Sequence, residues 1–450
     1  MVSAVQEINR TDAADGAAKS AEAAKSIEEA GVLAPRPKSI AETGLHTSLL
    51  CELVEKHLYS AGTLTLPAMS RRTALAGGIL GEVLAFLRRE GRIEVRGPTP
   101  EEASLRYALT DRGRMSAQDG LARSGYVGPA PVTLEAYSEA VRRQSVHDRL
   151  ITRELMSAAF KDVVLDDQML DRLGPALNSG KAIFVYGEAG TGKTYVTQRL
   201  CRLVGDTVLV PYALAIGETI IQIFDTTVHV PVQAPSPGVR LEDGHDPRFV
   251  LCRRPLVITG GELTPEMLEV QLDPATRLYR APLQLKATNG MLIIDDLGRQ
   301  RVPPRAILNR WIVPMEEGRD YLSLPTGQSF IVQFDLILVF STNLRPTDLA
   351  DDAFLRRIGY KIQFGPLPTH RYHEIWQQVC EQHGVPYDPQ TCQTVIDRLH
   401  RPSSIPLLPC HPRDLIDMAL DHAAYLGDGD HLRFDALEWA WHNYFVAGDQ

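Results

Sequence analysis

Apolar residues at Leu45, Leu49, Leu50, Leu53 and Leu58 recur at helical spacing until Gly62 interrupts them. The alternating stretch Thr63-Leu64-Thr65-Leu66 predicts a short strand, and a second helical run over 72–89 stops at Gly91. Ile93 and Val95 then alternate with polar residues up to Gly97-Pro98, and Leu105, Tyr107 and Leu109 predict the returning strand, with a further helix from about Thr110. Tyr126-Val127-Gly128-Pro129-Ala130-Pro131 reads as a linker. Beyond it the period changes. Apolar and β-branched runs at 182–186, 207–210, 291–294, 337–341 and 361–364 alternate with helical stretches, which predicts a parallel sheet with helices on both faces. After Pro366 the strand signals stop and the chain reads as mainly helical. Residues 1–40, rich in Ala, Glu and Lys, carry too little apolar surface to bury a core and are expected to be a disordered tail.

Composition narrows the class. A chain of 450 residues with 44% apolar and 23% charged residues has the make-up of a globular protein of two or three domains. No apolar run approaches the roughly 20 residues of a spanning helix, so membrane insertion is not expected. The N-terminus lacks the apolar stretch of a secretory signal, which makes the cytoplasm the expected location. Six dispersed cysteines form no CxxC pair and no zinc spacing, and read as reduced structural thiols. A net charge of -9 disfavours polyanions at long range, so any DNA contact has to be local.

The chemistry lies at strand ends. Gly187-Glu188-Ala189-Gly190-Thr191-Gly192-Lys193-Thr194 matches GxxxxGK[ST] after an apolar strand and before a helical stretch, the context in which such a loop cradles nucleotide phosphates. Backbone N–H groups and the helix N-terminus would face the phosphates, Lys193 would reach the β/γ oxygens, and Thr194 would ligate magnesium. Met291-Leu292-Ile293-Ile294-Asp295-Asp296 is a buried strand ending in two acids. This is a Walker B pattern, in which Asp295 would hold Mg2+ and Asp296 would orient the attacking water on ATP. Asn343, at the end of the next strand, is a sensor candidate, although Asn is also an ordinary turn residue. Arg356 and Arg357 precede the last strand, where a guanidinium could reach a neighbouring subunit's γ-phosphate; a surface ion pair would use the same residues. Arg413 follows Cys410-His411-Pro412 just inside a helix and could close a helical lid over the nucleotide. Arg299, Arg301, Arg305 and Arg310 follow the acidic pair and read as a solvated face or an interface.

This ordered set resembles the AAA+ ATPase superfamily over residues 150–450. In that resemblance Ala353 to Arg357 is similar to a paired arginine finger and Arg413 to the second sensor, and the fold implied is an α/β P-loop AAA+ parallel-sheet domain with a C-terminal helical lid. It also implies a ring, usually a hexamer, with ATP between subunits. Two departures stand out: Asp296 occupies a place where many members carry Glu, and the Lys193–Asp295 interval is long, with a Pro/Gly-rich loop from Pro231 to Pro247. The strand-turn-strand pattern of 321–331 is similar to the hairpin insertion of MoxR-like branches, often remodelling chaperones. The helix, strand, helix and hairpin order near the N-terminus, with Tyr107 to Arg114, resembles a winged-helix domain.

The expected domains are therefore a tail (1–40), a winged-helix-like domain (41–128), the nucleotide domain (129–366) and the lid (367–450). ATP hydrolysis that remodels a protein client is the expected function. A DNA-associated ATPase with Ser70 to Arg89 in the major groove, and Arg71 and Arg72 near its entry, is the alternative, and a nucleotide-gated scaffold with little turnover is a second. The segment 45–125 holds 11 Lys/Arg against 9 Asp/Glu, which leans toward protein docking over phosphate binding.

Overall fold

A computed structural model describes residues 34–97, 104–232, 245–427 and 432–445. Most of the expected tail, the tip at 98–103 and most of the loop 231–247 lie outside the described residues. The chain is a mixed α/β fold whose central feature is a five-stranded parallel sheet, in the spatial order Leu256–Thr259, Met291–Ile294, Ile337–Thr342, Ile183–Tyr186, Tyr360–Gln363. The P-loop strand pairs in parallel with both of its neighbours, Ile183 lying opposite Val339 on one side and Tyr360 on the other. The pattern of near-continuous apolar runs is what a sheet covered on both faces requires.

One strand differs from the expectation. Thr207–Pro211 does not join this sheet; it pairs antiparallel with Phe249–Arg253, Leu209 opposite Leu251. The fifth position belongs instead to Leu256–Thr259. Both segments are four or five β-forming residues, and composition alone does not distinguish which partner edge each will find.

By contacts the chain divides into two compact units, 1–149 with 204–292 and 306–337, and 150–203 with 293–305 and 338–450. In the first unit the Ala34 carbonyl accepts from the Asp246 N–H at 2.8 Å. Helix Thr47–Ala61 is followed by strand Thr63–Thr65, helices Leu66–Thr73 and Gly77–Arg89, strands Ile93–Arg96 and Arg106–Leu109, and helix Asp111–Arg123. The three strands form an antiparallel sheet with Arg106–Leu109 in the centre. The helical run expected over 72–89 is two helices, because Ala74 takes φ +57 and breaks the hydrogen-bonded spiral, while Thr65 caps the first of them through the Ala68 N–H. The segment read as a linker is packed: Tyr126 and Ala130 are buried, and the Ala130 N–H donates to Thr73 O at 2.7 Å. Prolines on either side of Ala130 leave few donors to satisfy, so the segment can lie against the helices without orphaned amides.

The long Lys193–Asp295 interval contributes four of the five strands of a second, mixed sheet in the order Gln271–Asp273, Leu278–Arg280, Thr219–Gln222, Ala213–Ile216, Val132–Thr133. Successive residues of a strand face opposite sides. Accordingly Ala213, Ala215 and Ile220 enter the apolar core of the N-terminal helices, whereas Leu214, Ile216 and Ile221 enter a different core that also takes Leu322 and Phe330. Those last two belong to the antiparallel hairpin Arg319–Ser323 with Ser329–Gln333. Arg248, 3% exposed, pairs with Asp246 at 2.8 Å and donates to the carbonyls of Thr43 and Pro131.

A buried histidine in this unit makes acid stability testable. His229 Nδ1 accepts from the Asp225 N–H at 3.0 Å, so Nε2 carries the proton given to Lys286 O at 2.9 Å. Burial pushes its pKa down to about 4. Unfolded, the ring titrates near 6.5, so its contribution is complete above that pH and is lost as the pH falls toward 4, on the order of 3 kcal/mol in all. Asp225, which Lys286 and Thr227 hold at about 2 against the opposing effect of burial, loses its share only at lower pH. Urea unfolding between pH 7 and 4.5 is expected to show this decline, and His229→Gln to flatten it.

The second unit contains helices Arg153–Ala159 and Asp167–Asn178, the P-loop region, and a C-terminal bundle of Thr369–His383, Pro389–Val395, a π turn at Ile396–His400, Cys410–Leu426 and Phe434–Tyr444. The bundle closes on Trp376, Leu415, Ile416, Leu437 and Trp441. Among the described residues no helix is long and apolar enough to cross a membrane. None of the six cysteines is in a disulfide; burial pushes Cys252 and Cys392 up to about 12, where a thiol stays protonated.

Candidate functional site

Three strand ends deliver the chemistry to one place. Ile183–Tyr186 is buried and runs into Gly187, whose φ of +147 turns the chain out of the strand. Gly192, at φ +82, caps helix Lys193–Arg199. Between them Thr191 Oγ1 donates to Glu188 O at 2.8 Å, which folds the loop onto itself. Lys193 is 6% exposed and its ammonium donates to Gly187 O at 2.9 Å and Glu188 O at 2.8 Å. Burial pushes its pKa below the ordinary lysine value, and the charges of Asp295 and Asp296 oppose that shift. Ala189 and Gly190 complete the loop, and Gly190 O accepts the Cys410 N–H at 3.3 Å, so the start of helix Cys410–Leu426 rests on it.

The strand order explains how the acids meet this loop. The strand carrying Asn343 lies between the P-loop strand and the strand carrying Asp295, so three neighbouring ends converge. Thr194 Oγ1 donates to Asp295 Oδ2 at 2.6 Å, and Asn343 Nδ2 approaches Asp296 Oδ1 at 3.4 Å. A hydroxyl beside a carboxylate is the hard-oxygen donor set that suits Mg2+, an ion that takes one or two protein ligands and completes its shell with water and phosphate. Among the described residues no group of three or more His, Cys, Asp or Glu is placed to hold a metal ion.

Asp296 is held at φ +48, a left-handed conformation that costs a non-glycine residue roughly 1–2 kcal/mol. The neighbouring bonds sustain it. Leu297 N–H donates to Ser341 O at 2.9 Å, and Thr342 Oγ1 donates to Leu297 O at 2.6 Å. Thr342 escaped the sequence reading, since a polar residue at a strand end carries no periodic signal.

The arginines differ in setting. Arg356 and Arg357 end the short helix Asp352–Arg357, capped by Asp351 through the Phe354 N–H at 2.9 Å, and Arg356 is exposed. Arg413 lies in the first turn of helix Cys410–Leu426, mostly exposed, with its guanidinium 3.3 Å from Asp414 Oδ1. Arg310 belongs to the first unit, where it pairs with Asp320 at 2.7 Å and Glu269 at 2.9 Å, a structural anchor and not a solvated charge.

A family model described as a domain of unknown function (DUF8689) matches residues 368–443, which is most of the C-terminal bundle. A search of curated proteins finds no match. Solved structures that resemble the chain include a RuvB mutant of Thermotoga maritima, with TM-score 0.38, 13% identity, 62% of this chain and 70% of that one covered. Another is the RuvB Holliday junction branch migration motor of the same organism, with TM-score 0.33, 14% identity and 68% and 70% covered. NtrX from Brucella abortus gives TM-score 0.38 and 13% identity over 76% of this chain and 63% of that one. Likeness at these values does not decide a function; the convergence of Lys193, Thr194, Asp295, Asp296 and Asn343 is the stronger observation.

Proposed function

We propose that this chain is an AAA+ ATPase that hydrolyses Mg-ATP and uses the energy to remodel a protein client within a ring of like subunits. The observation that carries the reading is the pair of contacts Thr194–Asp295 and Asp296–Asn343 at neighbouring strand ends beside Lys193. Residues 187–194 would bind the phosphates, with Lys193 exchanging its carbonyl partners for phosphate oxygens, which are stronger acceptors. Thr194 and Asp295 would hold Mg2+, which supplies charge neutralisation at the phosphates when bound. Asp296, steadied by Asn343, would orient the attacking water. Arg356 and Arg357 would complete a neighbouring subunit's site, and Arg413 would carry nucleotide occupancy to the helical bundle.

For the N-terminal helices the same chain chemistry favours docking over DNA reading. The exposed positions of Gly77–Arg89 are Gly78, Gly81, Glu82 and Ala85, with Arg88 and Arg89 only at the end. Base edges in a major groove are read by guanidinium and amide groups, which this face lacks along most of its length. A winged-helix-like module that presents a smooth face to a protein client, together with the hairpin 319–333, fits a remodelling branch of the superfamily.

ATPase assays across protein concentration test the reading. Turnover per chain is expected to rise with concentration, to fall by roughly 10³ in the double variant Arg356→Ala/Arg357→Ala with little change in nucleotide affinity, and to be indifferent to duplex DNA. A strictly monomeric enzyme that is equally active at every dilution would sink the ring. Tight ATP binding with no turnover would move the nucleotide-gated scaffold into its place, and stimulation by duplex would favour the DNA-associated reading.

A further inference from the structure

Between the Walker B acids and the helix Pro304–Arg310 lies a turn in which one side chain faces inward. Gln300 is 9% exposed, flanked by the exposed Arg299 and Arg301. Its Oε1 accepts the Gly298 N–H at 2.8 Å, and its Nε2 approaches Asp295 O at 3.4 Å and Asp296 O at 3.3 Å. An N–H on one side and two carbonyls on the other fix which end of the amide is oxygen and which is nitrogen. The side chain is therefore a brace across the backbone of both acids.

The brace matters because of what it spans. Asp296 sits in a left-handed conformation that its own chemistry disfavours, and a backbone of that kind persists only where its surroundings hold it. Three sets of bonds do so. Asn343 meets the carboxylate, Ser341 O and Thr342 Oγ1 hold Leu297 from the adjacent strand, and Gln300 with the Arg299 N–H holds the carbonyl of Asp296 itself. Of these, Gln300 is the one side chain with hydrogen bonds spanning the main chain of Asp295 through Gly298. Without it the turn keeps its bonds to Leu297 and from the Arg299 N–H but loses its side-chain brace, and the Asp296 carboxylate gains room to shift away from Asn343.

We propose that Gln300 is a positioning residue for ATP hydrolysis: it fixes the backbone of Asp296 so that this carboxylate points where the attacking water must be held. The proposal rests on the ATPase reading above. It acts through Asp296 and asks nothing of nucleotide binding, since Lys193 and residues 187–192 are held by bonds of their own. A displacement of the order of 1 Å at a reacting group costs about 10²-fold in rate.

Gln300→Met keeps the length and bulk of the side chain and removes every polar bond; Gln300→Glu keeps the acceptor for Gly298 and removes the donors to Asp295 and Asp296. Both are compared with wild type for kcat, for the dissociation constant of a fluorescent ATP analogue with Mg2+, and for melting temperature. The expected result is a fall in kcat of about 10²-fold in both variants, with analogue affinity within about threefold of wild type and the folded state retained. Full turnover in Gln300→Met shows that Gln300 only fills space and overturns the proposal while leaving the ATPase reading intact. A parallel loss of affinity and turnover in the folded Gln300→Glu protein also overturns it, because the residue then serves the P-loop. Absence of turnover in wild type overturns the ATPase reading and this assignment with it.

Discussion

Asp296→Asn is expected to lower kcat by about 10²–10³ and to leave nucleotide affinity nearly unchanged, whereas Lys193→Ala abolishes turnover by abolishing binding. The two outcomes follow from where the groups sit. Asn in place of Asp296 still fits the turn and can still meet Asn343, but it loses the negative oxygen that orients and polarises a water, so the loss falls on the transition state alone. Lys193 is different: its ammonium is buried and bound to Gly187 O and Glu188 O, within the loop where phosphates are expected. Deleting it removes the only buried cation of the loop and leaves two carbonyls facing the phosphates, which repels them. Measuring kcat and the dissociation constant of a fluorescent ATP analogue separately distinguishes the two patterns. If Asp296→Asn hydrolyses at the wild-type rate, the water is oriented by another residue.

Gly187→Ala is expected to destabilise the protein by about 3 kcal/mol or more and to remove nucleotide binding. A methyl group at this position would lie 2.1 Å from the backbone oxygen of Phe364, an atom that cannot step aside, since the Phe364 N–H is bonded to Tyr186 O at 2.8 Å. The φ of +147 adds a conformational penalty of its own for any L side chain. The loop must therefore leave the edge strand or the strand must lose its last bond. Gly78→Ala is the matching control: nothing lies within 4 Å of an added methyl there, and a helical glycine replaced by alanine changes stability by about 1 kcal/mol or less. Urea unfolding of both variants checks the contrast, and equal midpoints would contradict the close approach of Gly187 to Phe364.

Residues whose identity follows from a strand end were the readable part of this site. Asp295 and Asn343 each stand where an apolar run stops, Lys193 and Thr194 open the helix one loop after such a run, and the structure brings them together because their strands are neighbours. Spacing along the chain says nothing of that adjacency; the strand order supplies it. Leu256–Thr259 passed unrecognised because Arg-Arg-Pro precedes it and Gly-Gly follows soon after, so its apolar run is only four residues long. Thr207–Pro211 was the better-looking strand and took an antiparallel partner in a different sheet. The break at Ala74 had no signal, since alanine is the strongest helix former; its left-handed backbone lies between Met69 and Leu75, both buried in the core of the N-terminal helices. Gln300 shows the same limit at the site: its role depends on two carbonyls that no sequence pattern reveals.

The mixed sheet of the long interval has a mechanical consequence. Ala213, Ala215 and Ile220 are sunk in the N-terminal core while Leu214, Ile216 and Ile221, their immediate neighbours along the same strands, are sunk in the core beneath the hairpin. Such a sheet works as a rivet driven through two plates. A pull on the helices between 47 and 89 cannot be spent in a slack tether, because no tether separates them from the plate below. The load passes through the strands to Leu278–Arg280, and from there only a short piece of chain leads to Met291, where the strand that ends in Asp295 begins. Strain applied to those helices would thus be felt at the start of the Met291–Ile294 strand as load on a stiff part, with the sheet serving as the lever arm.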